Sequence, residues 1–239
     1  MRRAIIVGAS SGLGLELAKI MARDRWSLGL AARNMDALQA LSEELGADVH
    51  LQRLDITQTG SVPAALDALA EALGGVDCVI LSSGVSPYNR KLAWGIEEVT
   101  LATNVMGFAA CANWAAHRFF EQRAGHLVGI SSVASMFGSP QVPAYNASKA
   151  FISRYLEGLR FNLGRFGVRV TDIRPGYVDT PMTKDQRGMF WLVDAQAASR
   201  QIYRAILKGS PVAYVPRRWG FLAKLILVAP ASVVARFSN

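Results

Sequence analysis

The chain has 239 residues, 51% of them hydrophobic, enough for a sizeable core in one large domain or two small ones. Its net charge of +8 is uneven: residues 195–239 hold seven basic side chains and no acidic one, while the first 194 residues are nearly balanced. Cys78 and Cys111 lie in apolar segments without metal-ligand spacing, which argues against a disulfide scaffold or a metal site and for buried, reduced thiols.

The first residues do not read as a signal peptide, because the apolar run 4–7 meets glycine at once. No apolar run approaches the length of a membrane span. A cytoplasmic protein is expected. There is no repeat and no flexible linker, so one domain is expected over 1–216, with 217–239 as an extension of it. The basic tail carries no nucleic-acid-binding motif, and no nucleic-acid partner is expected.

Residues 3–7 are a short β-branched run and read as a buried strand. Gly8-Ala-Ser-Ser-Gly12-Leu-Gly14 follows, then an apolar-periodic helix over 15–22. Strand, glycine loop and helix together point to a nucleotide: glycines let the backbone approach a ligand, and a helix N-terminus offers free N–H groups to a pyrophosphate. Residues 26–32 are a second strand, ending at Ala32 and followed by Arg33. An acid here would hold a ribose 2′-hydroxyl, whereas an arginine accommodates a 2′-phosphate, so NADP(H) is preferred over NAD(H). The competing reading of Arg33 is a solvent-exposed loop residue.

An amphipathic helix is expected over 34–46 and a third strand over 48–54. Asp55 then has two readings: it accepts from an adenine amino group, or it caps a helix beginning near Thr59 or Gly60. A fourth strand starts at Val76 and enters the small-residue loop Ser82-Ser83-Gly84. Helical segments over 95–99 and 108–123 flank Asn104, an amide that needs partners inside an apolar helix. It either anchors a water near Lys149 or bends the helix locally.

The fifth strand, 125–131, ends at Ser132, and a helix over 145–166 starts with Tyr145 and Lys149, four apart on one face. A lysine beside a tyrosine favours the phenolate, so a lowered Tyr145 pKa and proton transfer near neutral pH are expected. Alone, this spacing is also an ordinary helix face. The sixth strand, 168–174, closes on Pro175-Gly176, with Tyr177, Val178 and Thr180 beyond. Residues 183–193 contain Gly188-Met-Phe-Trp191-Leu and read either as a lid over an apolar ligand or as core. Asp194 caps a helix to Lys208, and 212–215 is the last strand. Alternating strands and helices mean α/β with a parallel sheet, whose carboxyl edge gathers the strand-end residues Gly8, Arg33, Asp55, Ser82, Ser132 and Pro175.

With these residues in this order, the chain closely resembles the short-chain dehydrogenase/reductase family over about residues 3–216. The match rests on Gly8-x-x-x-Gly12-x-Gly14, Asp55, Asn104, Ser132, Tyr145-x-x-x-Lys149 and Pro175-Gly176 with Thr180. The resemblance implies a single-domain Rossmann fold with a doubly wound, seven-stranded parallel sheet. It implies reversible hydride transfer between a nicotinamide cofactor and a carbonyl or secondary alcohol. Tyr145 is then the general acid/base, Ser132 orients the substrate oxygen, Lys149 lowers the tyrosine pKa and holds the ribose, and Asn104 anchors a relay water. Gly8, Ser10, Ser11, Gly12, Leu13, Gly14, Arg33, Asp55, Ile56, Ser83, Gly84, Pro175, Gly176, Val178 and Thr180, with Tyr145 and Lys149, are the implied cofactor contacts. A homodimer or homotetramer is implied as well. Two stretches depart from the family pattern: Val7 replaces a threonine, and Leu81-Ser82-Ser83-Gly84 replaces Asn-Asn-Ala-Gly, with serines in place of the asparagines.

The segment 217–237 is apolar with basic residues and Trp219 at its start. It packs on the chain or a sister subunit, shapes a substrate entrance, or lies in a membrane interface. The leading functional reading is an NADP(H)-dependent carbonyl reductase acting on an apolar small molecule. The alternatives are an epimerase or dehydratase on the same site, and a catalytically silent nucleotide-binding regulator.

Overall fold

Alternation within β1 (Arg2–Val7) sends Ile5 and Val7 to one face of a sheet and Ala4 and Ile6 to the other. Both faces need cover, and a parallel sheet receives it from its crossover helices. The computed structural model, which describes residues 2–46, 48–183 and 189–228, shows that arrangement. Seven parallel strands are ordered β3-β2-β1-β4-β5-β6-β9: β2 is Trp26–Ala32, β3 Val49–Arg53, β4 Cys78–Leu81, β5 Gly125–Ile130, β6 Val168–Pro175 and β9 Val212–Val215. The order runs outward in both directions from β1 and β4, the doubly wound pattern expected from the sequence.

Two cores result. On one face, Leu66 and Leu69 of α3 (Val62–Ala72), Phe119 of α5 (Phe108–Gln122) and Ile152 and Leu156 of α6 (Pro143–Leu163) pack on Ile5, Val7, Val79 and Leu81. On the other, Leu17 and Met21 of α1 (Gly12–Arg23), Leu38 of α2 (Met35–Leu45) and Ile202 and Ile206 of α7 (Ala195–Lys208) pack on Ala4, Ile6 and Ile80. The expectation that Cys78 and Cys111 are buried holds: each is about 1% exposed.

The differences are local. Helix α1 begins at Gly12 rather than Leu15, because the glycine loop itself winds into the first turn. Helix α6 begins at Pro143, whose fixed φ suits a first helical position. Helix α4 (Trp94–Leu101) runs through a π-helical turn, Ala102–Gly107, into α5. A pair of two-residue strands, β7 (Val178–Asp179) and β8 (Val193–Asp194), ties the two ends of the 180–192 loop, which the sequence reading did not anticipate. Asp194 caps α7 as expected, accepting from Ala197 N at 2.8 Å. Helix α8 (Trp219–Val228) closes the described chain, and no described helix is long and apolar enough to cross a membrane.

Candidate active site

The carboxyl ends of the strands open into one cleft of about 290 Å³. It is lined by sequence-singled residues from six separate stretches, among them Gly8, Arg33, Asp55, Ser83, Ser132 and Pro175. Ser10, Ser11, Gly12, Leu13, Ala32, Ile56, Gly84, Gly176, Val178 and Thr180 share the same wall with Tyr145 and Lys149. Ser131, Ile130, Thr103 and Met182 also line it. Their neighbours in sequence carried the only signal for them.

At one end of the cleft the backbone is shaped for close approach. Gly8 has φ of 90°, and a Cβ there would stand 2.6 Å from Ser83 N. Ser82 N donates to Val7 O at 2.8 Å, so the loop after β4 is zipped to the glycine loop through the backbone. The departures at Val7, Ser82 and Ser83 therefore leave this junction intact, and the Val7 side chain is core. Gly14 is not part of the wall: a Cβ there would collide with the Gly8 carbonyl, so its role is to let α1 pack on the loop.

The start of α1 suits an anion. Ser11 stands at the N-cap without capping with its side chain, and the first turn holds no acid. The leading N–H groups of the helix thus have no side-chain competitor for a phosphate. Arg33 is exposed on the same rim, next to Asn34 and opposite Asp55. Asp55 Oδ1 closes a local turn, accepting from Thr57 N at 3.0 Å and Thr57 Oγ1 at 2.8 Å, and does not cap the 3-10 turn Thr59–Ser61 that follows. Thr57 and the charges of Arg33 and Arg53 hold the Asp55 carboxyl low against the opposing push of burial.

At the other end stand the candidate chemical groups. Ser132 follows β5 and caps the 3-10 turn Val133–Met136, accepting from Ala134 N at 3.1 Å and reaching Pro175 O at 3.3 Å. Tyr145 sits in the first turn of α6 and lines the cleft together with Ser132. Lys149, one turn on, is buried, and its Nζ donates to Ile130 O at 2.9 Å while lying 5.6 Å from the Tyr145 ring centre.

The expected lowering of the Tyr145 pKa by Lys149 is not what this cleft gives. Burial pushes the phenol up, the Ser132 hydrogen bond only partly opposes it, and Lys149 is itself drawn down to about 8 by burial, with Asp172 pulling the other way. The Lys149 ammonium is engaged with Ile130 O, 5.6 Å from the ring centre, and does not outweigh the burial of the phenol.

Asn104 lies beneath the wall rather than in it. Its amide clasps the backbone of Val85 in both directions at 2.9 Å and donates to Ser148 Oγ at 3.0 Å; Ser148 in turn donates to Tyr145 O at 2.7 Å. The helix-interior amide thus finds its partners by tying the loop after β4 to the turn that bears Tyr145. Asn104 stands in the π-helical turn, a distortion frequent at functional sites.

Below Ser132, Ser131 Oγ donates to Asp172 Oδ1, and Arg174 Nε meets Asp172 Oδ2 at 2.7 Å. Arg174 Nη1 also reaches Tyr214 OH at 3.0 Å and Met136 Sδ at 3.6 Å. The turn carrying Ser132 is therefore pinned at both ends by the same buried ion pair.

The segment 183–193 resolves in part. Residues 184–188 lie outside the described residues. Phe190 and Trp191 are 47% and 41% exposed, which removes the core reading for them. Both pack on Trp219, with ring centres 5.1 and 5.5 Å away, and Tyr177 joins them at 5.7 Å from Trp219. Trp219 itself is buried against the Gly176 backbone, so the start of the tail packs on its own chain, beside the cleft. Phe221 and Leu225 on α8 remain exposed, and residues 229–237 of the tail lie outside the described residues.

Residues 2–189 match the model of the short chain dehydrogenase family. An uncharacterised oxidoreductase of Myxococcus xanthus is 34% identical over 235 residues, covering 96% of this chain and 93% of its own. Another, from Mycobacterium tuberculosis strain H37Rv, is 33% identical over 248 residues, covering 99% and 97%. A short-chain dehydrogenase/reductase from Burkholderia phymatum, solved in complex with NAD, superposes with a TM-score of 0.85 at 24% identity, covering 94% and 92%. The chain belongs to the short-chain dehydrogenase family of oxidoreductases.

Proposed function

We propose that this protein is an NADP(H)-dependent oxidoreductase that interconverts a carbonyl and a secondary alcohol on a hydrophobic small molecule. The observation that carries the reading is the convergence of Ser132, Tyr145 and Lys149 at one end of a cleft whose other end is the glycine loop and Arg33. The residues present fit a dinucleotide. The uncapped start of α1 would hold the pyrophosphate, Arg33 a 2′-phosphate, Asp55 and Ile56 the adenine side, and Lys149 and Thr180 the nicotinamide end. A bound nicotinamide cofactor supplies or accepts the hydride.

In the direction of reduction, the Tyr145 phenol gives its proton to the carbonyl oxygen, and the Ser132 hydroxyl donates a hydrogen bond that orients the same oxygen. The elevated phenol pKa favours the proton donor at neutral pH. Lys149 lies near enough to stabilise the tyrosinate left behind, once a ligand draws its ammonium from Ile130 O. Asn104 keeps the Tyr145 turn and the loop after β4 in register. The exposed aromatic residues around Tyr177 favour an apolar substrate over a sugar.

Calorimetric titration of the full chain with NADPH and NADH tests the cofactor assignment. NADPH is expected to bind about tenfold or more tightly than NADH, with the preference lost in Arg33→Ala, because the guanidinium–phosphate contact is charge-assisted. Equal or tighter NADH binding would make Arg33 a surface residue, and binding of neither would overturn the cofactor assignment.

A further inference from the structure

Beside the mouth of the cleft lies an aromatic cluster. Gly176 and Val178 line the cleft beside Tyr145, and Tyr177 between them turns its ring onto Phe190 and Trp219, at 5.9 and 5.7 Å. Phe190 and Trp219 both meet Trp191, at 5.5 Å each, so Tyr177, Phe190 and Trp191 form an aromatic wall packed around the buried Trp219. Trp191 adopts φ of 59°, a left-handed conformation that is unfavourable for a bulky side chain and is tolerated where a site demands it. The wall ends at a cation: the Arg218 guanidinium stands 4.8 Å from the centre of the Trp191 ring.

Among the described residues, neither Arg217 nor Arg218 forms an ion pair, both are exposed, and the sequence has no acid from residue 195 onward. A guanidinium stacked on an indole is held in orientation while its N–H edge stays open, an arrangement suited to a carboxylate or phosphate. Apolar wall and open cation belong to the same stretch of surface, and each lacks a partner the other cannot supply.

We propose that the substrate is an amphipathic carbonyl compound whose apolar body lies along Tyr177, Phe190 and Trp191, which pack on the buried Trp219, and whose far, anionic end is met by Arg218. The inference rests on the reductase reading of the cleft and narrows its substrate class. Arg218 is a specificity residue, remote from the proton transfer, so it governs KM and leaves kcat nearly unchanged.

The test compares 8-oxononanoate with its methyl ester in the full chain with NADPH. The acid is expected to show a KM about five- to tenfold below that of the ester, from one charge-assisted contact at a wet rim. Arg218→Ala is expected to remove that advantage without affecting the ester, Arg218→Lys to restore part of it, and Arg218→Glu to reverse it. Equal effects of Arg218→Ala on acid and ester, or none on either, would overturn the proposal.

A second measurement needs no turnover and so separates this proposal from the reductase reading. Tryptophan fluorescence is titrated with decanoate and with decanol below their aggregation thresholds. A response selective for decanoate and absent in Arg218→Ala supports the anionic-end assignment even if neither ketone is reduced. An equal response to both ligands, or none, overturns it. So does co-sedimentation of the full chain with phosphatidylglycerol vesicles without any decanoate response, which would assign the cation to a lipid surface.

Discussion

Arg174 Nε lies 2.7 Å from Asp172 Oδ2, and Asp172 is fully buried in the middle of β6. The pair reaches from the edge strand, through Tyr214, to the turn that carries Ser132, through Ser131 and Met136. Breaking a buried pair leaves the survivor uncompensated. Asp172→Ala is expected to lower stability by about 3–5 kcal/mol. The double variant with Arg174→Ala should cost clearly less than the sum of the two single changes, as urea denaturation of the four proteins would reveal. Additive losses would mean that the two side chains do not act as a unit.

Tyr145→Phe removes one hydroxyl from a half-buried ring and leaves the helix start unchanged. Turnover is expected to fall about a hundred- to ten-thousand-fold, the usual contribution of a positioned acid or base. Cofactor affinity, read by calorimetry, should stay near that of the parent protein. Retained turnover would place the proton transfer elsewhere.

His126 gives the fold an acid-sensitive point. It is buried, its Nε2 lies 2.8 Å from Thr171 Oγ1, and that hydroxyl donates to Ser210 O at 2.7 Å. The single hydroxyl hydrogen is therefore spent on Ser210, and the imidazole must donate from Nε2. Burial, with help from the Arg169 charge, pulls its pKa from 6.5 down to about 4. The unfolded chain thus binds a proton between those values that the folded chain refuses. Stability is full above about pH 6.5 and falls as the pH drops toward 4, by at most about 3 kcal/mol from this residue. Thermal melts from pH 7 to 4.5 should show that slope, and His126→Gln should flatten it.

Gly8 and Gly46 both hold positive φ, 90° and 82°, yet a Cβ at Gly46 meets nothing within 4 Å while one at Gly8 meets the Ser83 backbone. The two alanine variants therefore separate backbone strain from collision. Gly46→Ala should cost about 1–3 kcal/mol and leave cofactor affinity alone. Gly8→Ala should cost more, and should weaken NADPH binding by spreading the junction between the loops after β1 and β4.

Residues at strand ends were legible because a parallel sheet delivers every carboxyl end to the same edge, whatever the distance in sequence. Gly8, Arg33, Asp55, Ser132 and Pro175 all line the cleft on that logic alone. Gly14 belongs to the same motif but serves packing, a distinction that spacing cannot make. The Asp172–Arg174 pair was not legible: its partners Ser131 and Tyr214 lie about forty residues away on either side. Trp219 hid for the same reason, since its site is the Gly176 backbone on another loop. The Tyr145 pKa was misjudged because proximity of Lys149 was weighed without burial, which acts on both groups and leaves the lysine engaged with Ile130 O.

The two cysteines have a practical side. Cys78 is sealed in β4 and Cys111 in α5, and burial lifts both thiols to about 12. Neither offers a thiolate to an alkylating reagent while the protein stays folded. A third cysteine introduced on an exposed position such as Leu192 or Phe221 would then be the one that reacts, so a fluorophore or spin label can be placed beside the cleft without first stripping the native thiols.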